Sequence, residues 1–563
     1  MSPTNSDIEW PQVALRFVDE LYAKIPPELR LSQDFLDQYP PGSDVRAAVA
    51  ACGLLSKDEM EITNPEYDSV SLLRRIKDKE VTAVQVARAF CKRAAVAQQL
   101  LHCLTDFFME VALRRAQELD DHYNTTGELV GPLHGLPIDM KDHMMVKGTK
   151  SSGGFVCDYL HPPASYHGIT AQILYDAGAV FFVKTNQPQS IMHLETYSFF
   201  GQTLNPYNTA LTSGGSSGGC SALVAFGGST LGIGSDIGGS LRSPSNACGL
   251  WTLKPTCSRL PTGHGYIPMP GADSISGTFG PICRSLRDIN LFFSVVLDTK
   301  PWLKAPEVVP IPWEIPASPS WSGTNGRLRV GVMWHDEVVL PQPPVRRALK
   351  TFADALKGID DIEVVDYKPF KHHKASALAH ELYFTDGGAR IRSKAAETGE
   401  PILPLTEWVI TYPSVKDHTM HEHWELAVER EVLRAEYLEY FNAQNVDVVL
   451  CPAGAGPAPE LGTCKYWAYT NVWNFVDYPA AVFPTGLLCD PALDKTDGPR
   501  EYMSEADEYN AKCYSDRPET FKGAPLCLQL VGKRYKEELL MRALEEISEA
   551  LPLQNLASHQ ASC

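Results

Sequence analysis

Residues 213–240, SGGSSGGCSALVAFGGSTLGIGSDIGGS, crowd serine against glycine more densely than any other part of the chain. Ten of these 28 residues are Gly and seven are Ser. Glycine lets backbone approach a small group and reach positive φ, and successive N–H groups in such a turn form a concavity for an anion. A flexible linker has the same bulk composition. However, Ala222, Leu223, Val224, Ala225, Phe226, Leu231, Ile233 and Ile237 are apolar residues that a solvated linker would not keep. A phosphate loop requires Gly-x-x-x-x-Gly-Lys-Ser/Thr, and no Lys follows any Gly in this stretch. The dinucleotide fingerprint is absent as well. The residues suit an oxyanion held beside a serine.

Two familiar serine arrangements are set aside. Gly214-Gly215-Ser216-Ser217-Gly218 matches the Gly-x-Ser-x-Gly elbow of α/β-hydrolases. That elbow needs a hydrophobic strand before it, and NPYNTALT at 205–212 reads as a turn. No strong Ser-x-x-Lys pair supports a penicillin-binding-protein arrangement.

Several longer motifs, taken in order, resemble the amidase signature family. They are GPLHGLPIDMKD at 131–142, KTNQPQS at 184–190, FGQTLNPYN at 200–208, GGSSGG at 214–219, GIGSDIGGSLRSPSNACGLWTLKPT at 232–256 and GAPLCLQLVGKRY at 523–535. The likeness runs from about Ser69 to the C-terminus and is weakest between Pro301 and Val446. WNFVDYPAAVFPTG at 473–486 and the length resemble the eukaryotic (fungal), acetamidase-like branch.

The resemblance implies a triad of Ser240 as nucleophile, Ser216 as a bridging serine after a cis peptide, and Lys141 as base. It implies an oxyanion hole from the N–H groups of Ile237, Gly238, Gly239 and Ser240, and substrate contacts at Ile191 and Met192, with His193 and Leu194 beside them. Asp236 and Arg242 would brace the nucleophile loop as an ion pair, with Ser217 and Ser213 as supporting hydrogen-bond residues. Ser235 stands where the family usually has Thr. A serine hydroxyl needs a base to become a nucleophile. A Lys serves only when neutral, which burial achieves by bringing its pKa to ~7–8.

The activity implied is hydrolysis of a carboxylic amide to acid plus ammonia or amine through an acyl-enzyme, with no metal and no organic cofactor. A specialised ester, carbamate or fatty amide substrate is the alternative. Three rivals remain: a serine esterase with a His base, a transamidosome subunit working with tRNA-bound partners, and a silent relative acting as an interaction module. The acidic balance and extra length weigh against the second, and the presence of all three triad residues weighs against the third.

The fold class implied is α/β, a single large core with a twisted mixed β-sheet covered by helices. Residues 1–60 read as an N-terminal helical extension, with Val13, Leu15, Phe17, Val18, Leu21 and Tyr22 at helical spacing before Pro26-Pro27. Residues 61–563 form the catalytic domain, variable over about 300–445. A helical block is expected from Ser69 to Asp121. Strands are expected at 135–141, 180–184, 327–332, 362–365, 446–450 and 526–531, and helices at 169–177, 424–441 and 536–550. The proline-rich segment 301–323 reads as a surface connection, and 490–522 as an exposed acidic loop. His421-Glu422-His423 and His372-His373 read as solvated helix faces and not as metal ligands. Trp467, Tyr469, Trp473 and Phe475 read as core in preference to pocket wall.

Length and charge bound these readings. At roughly 150 residues per domain, 563 residues would make three or four domains, but motifs from Lys141 to Gln529 need one another to build one site. Lys plus Arg number 50 against 68 Asp plus Glu, a net charge of −18 that disfavours nucleic acid. No basic-then-apolar leader and no ~20-residue apolar run is present. The 14 cysteines are scattered, without Cys-x-x-Cys. In a chain without a leader, the Asn124-Thr125-Thr126 sequon would be inert. The expectation is a cytoplasmic enzyme acting on a small-molecule amide, with no nucleic-acid partner, no membrane span and a possible homodimer.

Overall fold

A computed structural model describes residues 10–263 and 265–551. Its frame is one sheet of 11 strands. In chain order the strands are β1 (Leu104–Phe107), β2 (Pro137–Lys141), β3 (Val180–Thr185), the short pairs β4 (Tyr197–Ser198) with β5 (Gly201–Gln202) and β6 (Leu204–Asn205) with β7 (Asn208–Thr212), then β8 (Leu231–Asp236), β9 (Trp251–Lys254), β10 (Thr278–Cys283), β11 (Leu328–Val332), β12 (Ile362–Asp366), β13 (Val448–Pro452), β14 (Ala480–Leu488) and β15 (Pro525–Val531). Across the large sheet they lie β1-β3-β2-β8-β10-β9-β14-β15-β13-β11-β12. The middle, from β8 through β13, is antiparallel, and parallel pairs flank it at β3-β2-β8 and β13-β11-β12. β1 closes one edge antiparallel to β3. The fold is α/β with a mixed sheet, as the motifs implied.

Strands inside the sheet's edges are buried along their whole length, as in β3, β10, β13 and β15. Such strands read as continuous apolar runs because helices cover both faces. The helix Ala83–Leu101 covers one flank with a capping box from Thr82 and Gln85, and nearly all of its residues are buried. The N-terminal helix Trp10–Ala23 docks its Phe17 on Tyr159, ring centroids 4.2 Å apart.

Four expectations are corrected. The helical block 69–121 is three helices, Ser69–Lys77, Ala83–Leu101 and Met109–Thr126, and β1 interrupts it. Residues 205–212, read as a turn, contribute strands β6 and β7. The acidic segment 490–522 holds a helix at Glu505–Ser515 and a 3₁₀ turn at Pro518–Phe521, anchored by buried Asp507, Tyr514 and Phe521. His372 is buried against Tyr437 and Trp473, although His373 beside it is exposed. The proline-rich stretch lacks regular structure beyond a 3₁₀ turn at Pro301–Leu303, and Trp313 pins it by stacking on Phe293 at 4.6 Å.

Candidate active site

The register of β2 against β8 builds the site. Asp139 lies opposite Gly232 and Met140 opposite Ile233, so Lys141, ending β2, reaches Ser235 near the end of β8. Lys141 is fully buried, and its Nζ donates to Ser216 Oγ at 2.5 Å and to Ser235 Oγ at 3.1 Å. Burial drives the Lys141 amine down to about 7, against the opposing pull of Cys220, Asp236 and Asp142. An amine in that range is half neutral near pH 7 and accepts a proton readily.

Ser216 follows a cis peptide bond from Gly215 and precedes the helix Gly218–Ala225. Gly215 has no room for a side chain, since a Cβ would stand 2.5 Å from the Glu195 amide nitrogen. Ser217 ties the two serine loops together: its N–H donates to the Ser240 carbonyl at 3.2 Å, and its Oγ donates to the Ser235 carbonyl at 3.3 Å. Ser213 supports from below, its carbonyl accepting Ser221 Oγ at 2.8 Å. Ser216 is fully buried and Ser240 is 4% exposed, so the outer serine is the one that solvent touches.

The loop 236–240 is held by a dense polar network. Arg242 Nε donates to Asp236 Oδ2 at 3.0 Å and Arg242 Nη2 to Asp236 Oδ1 at 3.1 Å, both side chains fully buried. Burial alone would raise the Asp236 carboxyl, but the Arg242 guanidinium outweighs it and holds the group below the usual carboxylate range. Arg242 also donates to Thr470 O at 2.9 Å, Asn474 Oδ1 at 2.6 Å and Gln529 Oε1 at 3.3 Å, joining the loop to β15 and to the helix Ala468–Phe475. Tyr383 OH donates to the Ile237 carbonyl at 2.7 Å and Thr470 Oγ1 to the Gly238 carbonyl at 2.8 Å. Both carbonyls are thereby tied outward. Gly239 adopts φ 130°, and a Cβ there would lie 2.3 Å from Thr470 Oγ1. Its N–H, one of four expected oxyanion donors, instead donates to Asp236 Oδ1 at 2.8 Å.

A cavity of about 270 Å³ opens beside this loop, lined by Ile191, Met192, Ser235, Asp236 and Ile237 among others. Ser190 and Ile191 are consecutive non-glycine residues with φ of 66° and 65°. Such paired outliers persist where the surroundings over-determine the turn, and they cluster at functional sites. His193 and Leu194 do not line this cavity: His193 packs edge-on to Trp408 and Trp467, and Leu194 borders a narrower pocket. The aromatic group 467–475 is buried, with Trp473 packed edge-on to Tyr437 and to His372. His421 is exposed, as read. Among the described residues no group of three or more His, Cys, Asp or Glu could hold a metal ion. Tyr383, Thr470 and Asn474 were missed from the sequence. Only Asn474 fell inside a quoted motif, WNFVDYPAAVFPTG.

The sequence pattern of the family described as Amidase matches residues 85–541. The chain belongs to the amidase family. As an amidase it hydrolyses the carbon–nitrogen bond of linear, non-peptide amides. A Schizosaccharomyces pombe protein, an amidase by name, is 43% identical over 545 residues, covering 97% of this chain and 100% of the relative. The acetamidase of Emericella nidulans is 35% identical over 508 residues, 89% of this chain and 91% of that one. Among solved structures, a fatty acid amide hydrolase superposes with a TM-score of 0.91 at 33% identity, covering 99% of this amidase and 97% of that chain.

Proposed function

We propose that this amidase works through a serine–serine–lysine relay with Ser240 as nucleophile. The observation that carries the reading is the buried 2.5 Å contact from Lys141 Nζ to Ser216 Oγ, made by an amine lowered to about 7. Neutral Lys141 takes the Ser216 proton as Ser216 takes that of Ser240. The freed Ser240 oxygen then forms a bond to the amide carbonyl carbon with its lone pair, and the C=O π pair moves to the carbonyl oxygen. The N–H groups of Ile237, Gly238 and Ser240 receive that negative charge, since Gly239 is committed to Asp236. One such donor is worth ~2.7–4 kcal/mol of barrier. As the intermediate collapses the C–N bond breaks, and the nitrogen leaves carrying a proton from Ser216, which Lys141 replenishes. Water then enters by the same relay, and the Ser240 ester is cleaved to acid.

Asp236 and Arg242 fix the nucleophile loop, Ser217 joins it to the Ser216 turn, and Ile191 and Met192 line the cavity for the acyl group. No step calls for a metal or an organic cofactor. Incubation with an amide followed by acid quench and intact-mass measurement should trap an acyl group on Ser240. An adduct elsewhere, or turnover by Ser240→Ala at the parental rate, would refute the assignment.

We also propose that residues 1–60 are an extension to a catalytic domain at 61–563, a division supported by a family match that begins at residue 85. A cytoplasmic site of action, free of nucleic acid, is supported by 13 free cysteines among the described residues and a net charge of −18. No helix among the described residues is long and apolar enough to cross a membrane. A homodimer is the state to test by light scattering.

A further inference from the structure

The cavity beside the nucleophile loop has walls from four parts of the chain. They are the turn at Ser190–Met192, the loop at Ile237, the stretch from Thr262 and Gly265 to Phe279 that leads into β10, residue 264 lying outside the described residues, and the end of the helix His372–Tyr383. Ile191, Met192, Ile237, Met269, Ile275 and Leu382 make its surface mostly apolar. Its charged lining residues offer a ligand nothing in the interior. The Asp236 carboxylate is occupied by Arg242 and Asn474, and Asp273 is exposed at the rim. His143 is buried against Gln187, and burial keeps it neutral. One lining side chain has a buried polar atom without a partner among the described residues, the hydroxyl of Ser190. The cavity measures about 270 Å³. At ~30 Å³ for each water-sized group it holds about nine non-hydrogen atoms.

We propose that this cavity selects amides of uncharged, apolar acids of medium size, a chain or arylalkyl group of about nine non-hydrogen atoms. The inference rests on the serine reading above. Acetamide would leave most of the apolar wall wetted. A hexadecanamide tail would outrun the cavity's apolar wall and lie in solvent. A charged tail would be buried without a partner, at a cost that the apolar wall cannot offset. Relatives named for acetamide and for fatty acid amides bracket this size on either side.

The test is kcat/KM for acetamide, butanamide, hexanamide, octanamide, 3-phenylpropanamide and hexadecanamide, with 6-aminohexanamide as the charged comparison. Each methylene entering the cavity should raise kcat/KM at least about fourfold, to a maximum near octanamide or 3-phenylpropanamide. 6-Aminohexanamide should fall at least roughly 10²-fold below hexanamide. Ile275→Trp, which fills part of the cavity, should depress octanamide at least tenfold more than it depresses acetamide. A kcat/KM that is flat or falls from acetamide to octanamide would overturn the proposal, as would equal rates for hexanamide and its amino analogue. The parent enzyme alone decides this, whether or not Ile275→Trp folds. Failure of the serine reading looks different: Ser240→Ala would keep its turnover while the size order was still read in the parent.

Discussion

Lys141→Met should separate chemistry from stability, because the structure assigns the same amine a cost and a task. An ordinary lysine titrates near 10.5 and Lys141 near 7. Keeping this amine neutral at pH 7 therefore costs the folded chain about 4 kcal/mol, at 1.36 kcal/mol per pH unit. The sign follows from proton counts. Between pH 7 and 10.5 the unfolded chain holds a proton on this lysine that the folded chain does not. The penalty is thus complete below pH 7 and fades as pH rises to 10.5. Methionine has no proton to lose and escapes it. Its own losses, the bonds to Ser216 and Ser235 at 2.5 and 3.1 Å, are about 1–3 kcal/mol and vary little with pH. The parent-minus-variant stability difference should therefore rise in the parent's favour by roughly 3 kcal/mol between pH 7 and 9.5, while turnover is abolished at both. Urea unfolding midpoints for the two proteins at half-unit pH steps measure it. A difference constant across that window would mean that Lys141 is charged in the folded state, and the base assignment would fall with it.

The same amine sets the pH dependence of catalysis: kcat/KM should lose activity tenfold per pH unit below an apparent pKa near 7, in a stopped assay of ammonia release. Arg242→Ala leaves the Asp236 carboxylate buried and unpaired and should cost about 3–5 kcal/mol in the unfolding midpoint. Arg242→Lys should recover little of it, because one ammonium cannot span Asp236, Asn474 and the Thr470 carbonyl together. Thr470→Val removes the bond to the Gly238 carbonyl and should lower kcat about fivefold, with KM nearly unchanged. Gly239→Ala places a Cβ against Thr470 at a φ that favours glycine, and displacing this loop should cost roughly 10²-fold or more in kcat.

How far the sequence carried depends on the range over which each feature is set. β3 is legible because Val180-Phe181-Phe182-Val183 is an unbroken apolar run buried on both faces, and the pairing of Asp236 with Arg242 is legible because only six residues separate them. β1 is not, because Leu104-Thr105-Asp106-Phe107 is short and half polar, and its burial comes from its neighbours: Lys24 meets Asp106, and Thr105 bonds Asp142. The helix Glu505–Ser515 hides in an acidic, turn-rich segment whose order comes from Arg500 and Leu340 bonding Asp507. The carbonyl clamps at Tyr383 and Thr470 lie 146 and 232 residues from their partners, and no local pattern marks them.

That division has a physical reason. The Gly/Ser stretch had to be written locally, because cis backbone, close approach and N–H donors are properties of consecutive residues. The lysine acts only from a low-dielectric position, and burial is contributed by the whole sheet. Asp139 lies two residues before Lys141 on the same strand, and burial raises it to about 7 with Cys220 bonded to it at 2.7 Å. Successive residues of a strand alternate faces, so residues 139 and 141 share one. A carboxyl raised that far carries less negative charge near pH 7 than an ordinary aspartate, and so pulls Lys141 less toward its ordinary, protonated state. The neutrality of the base is therefore a property of the β2 face and its covering helix, and serine-glycine spacing alone could not have supplied it.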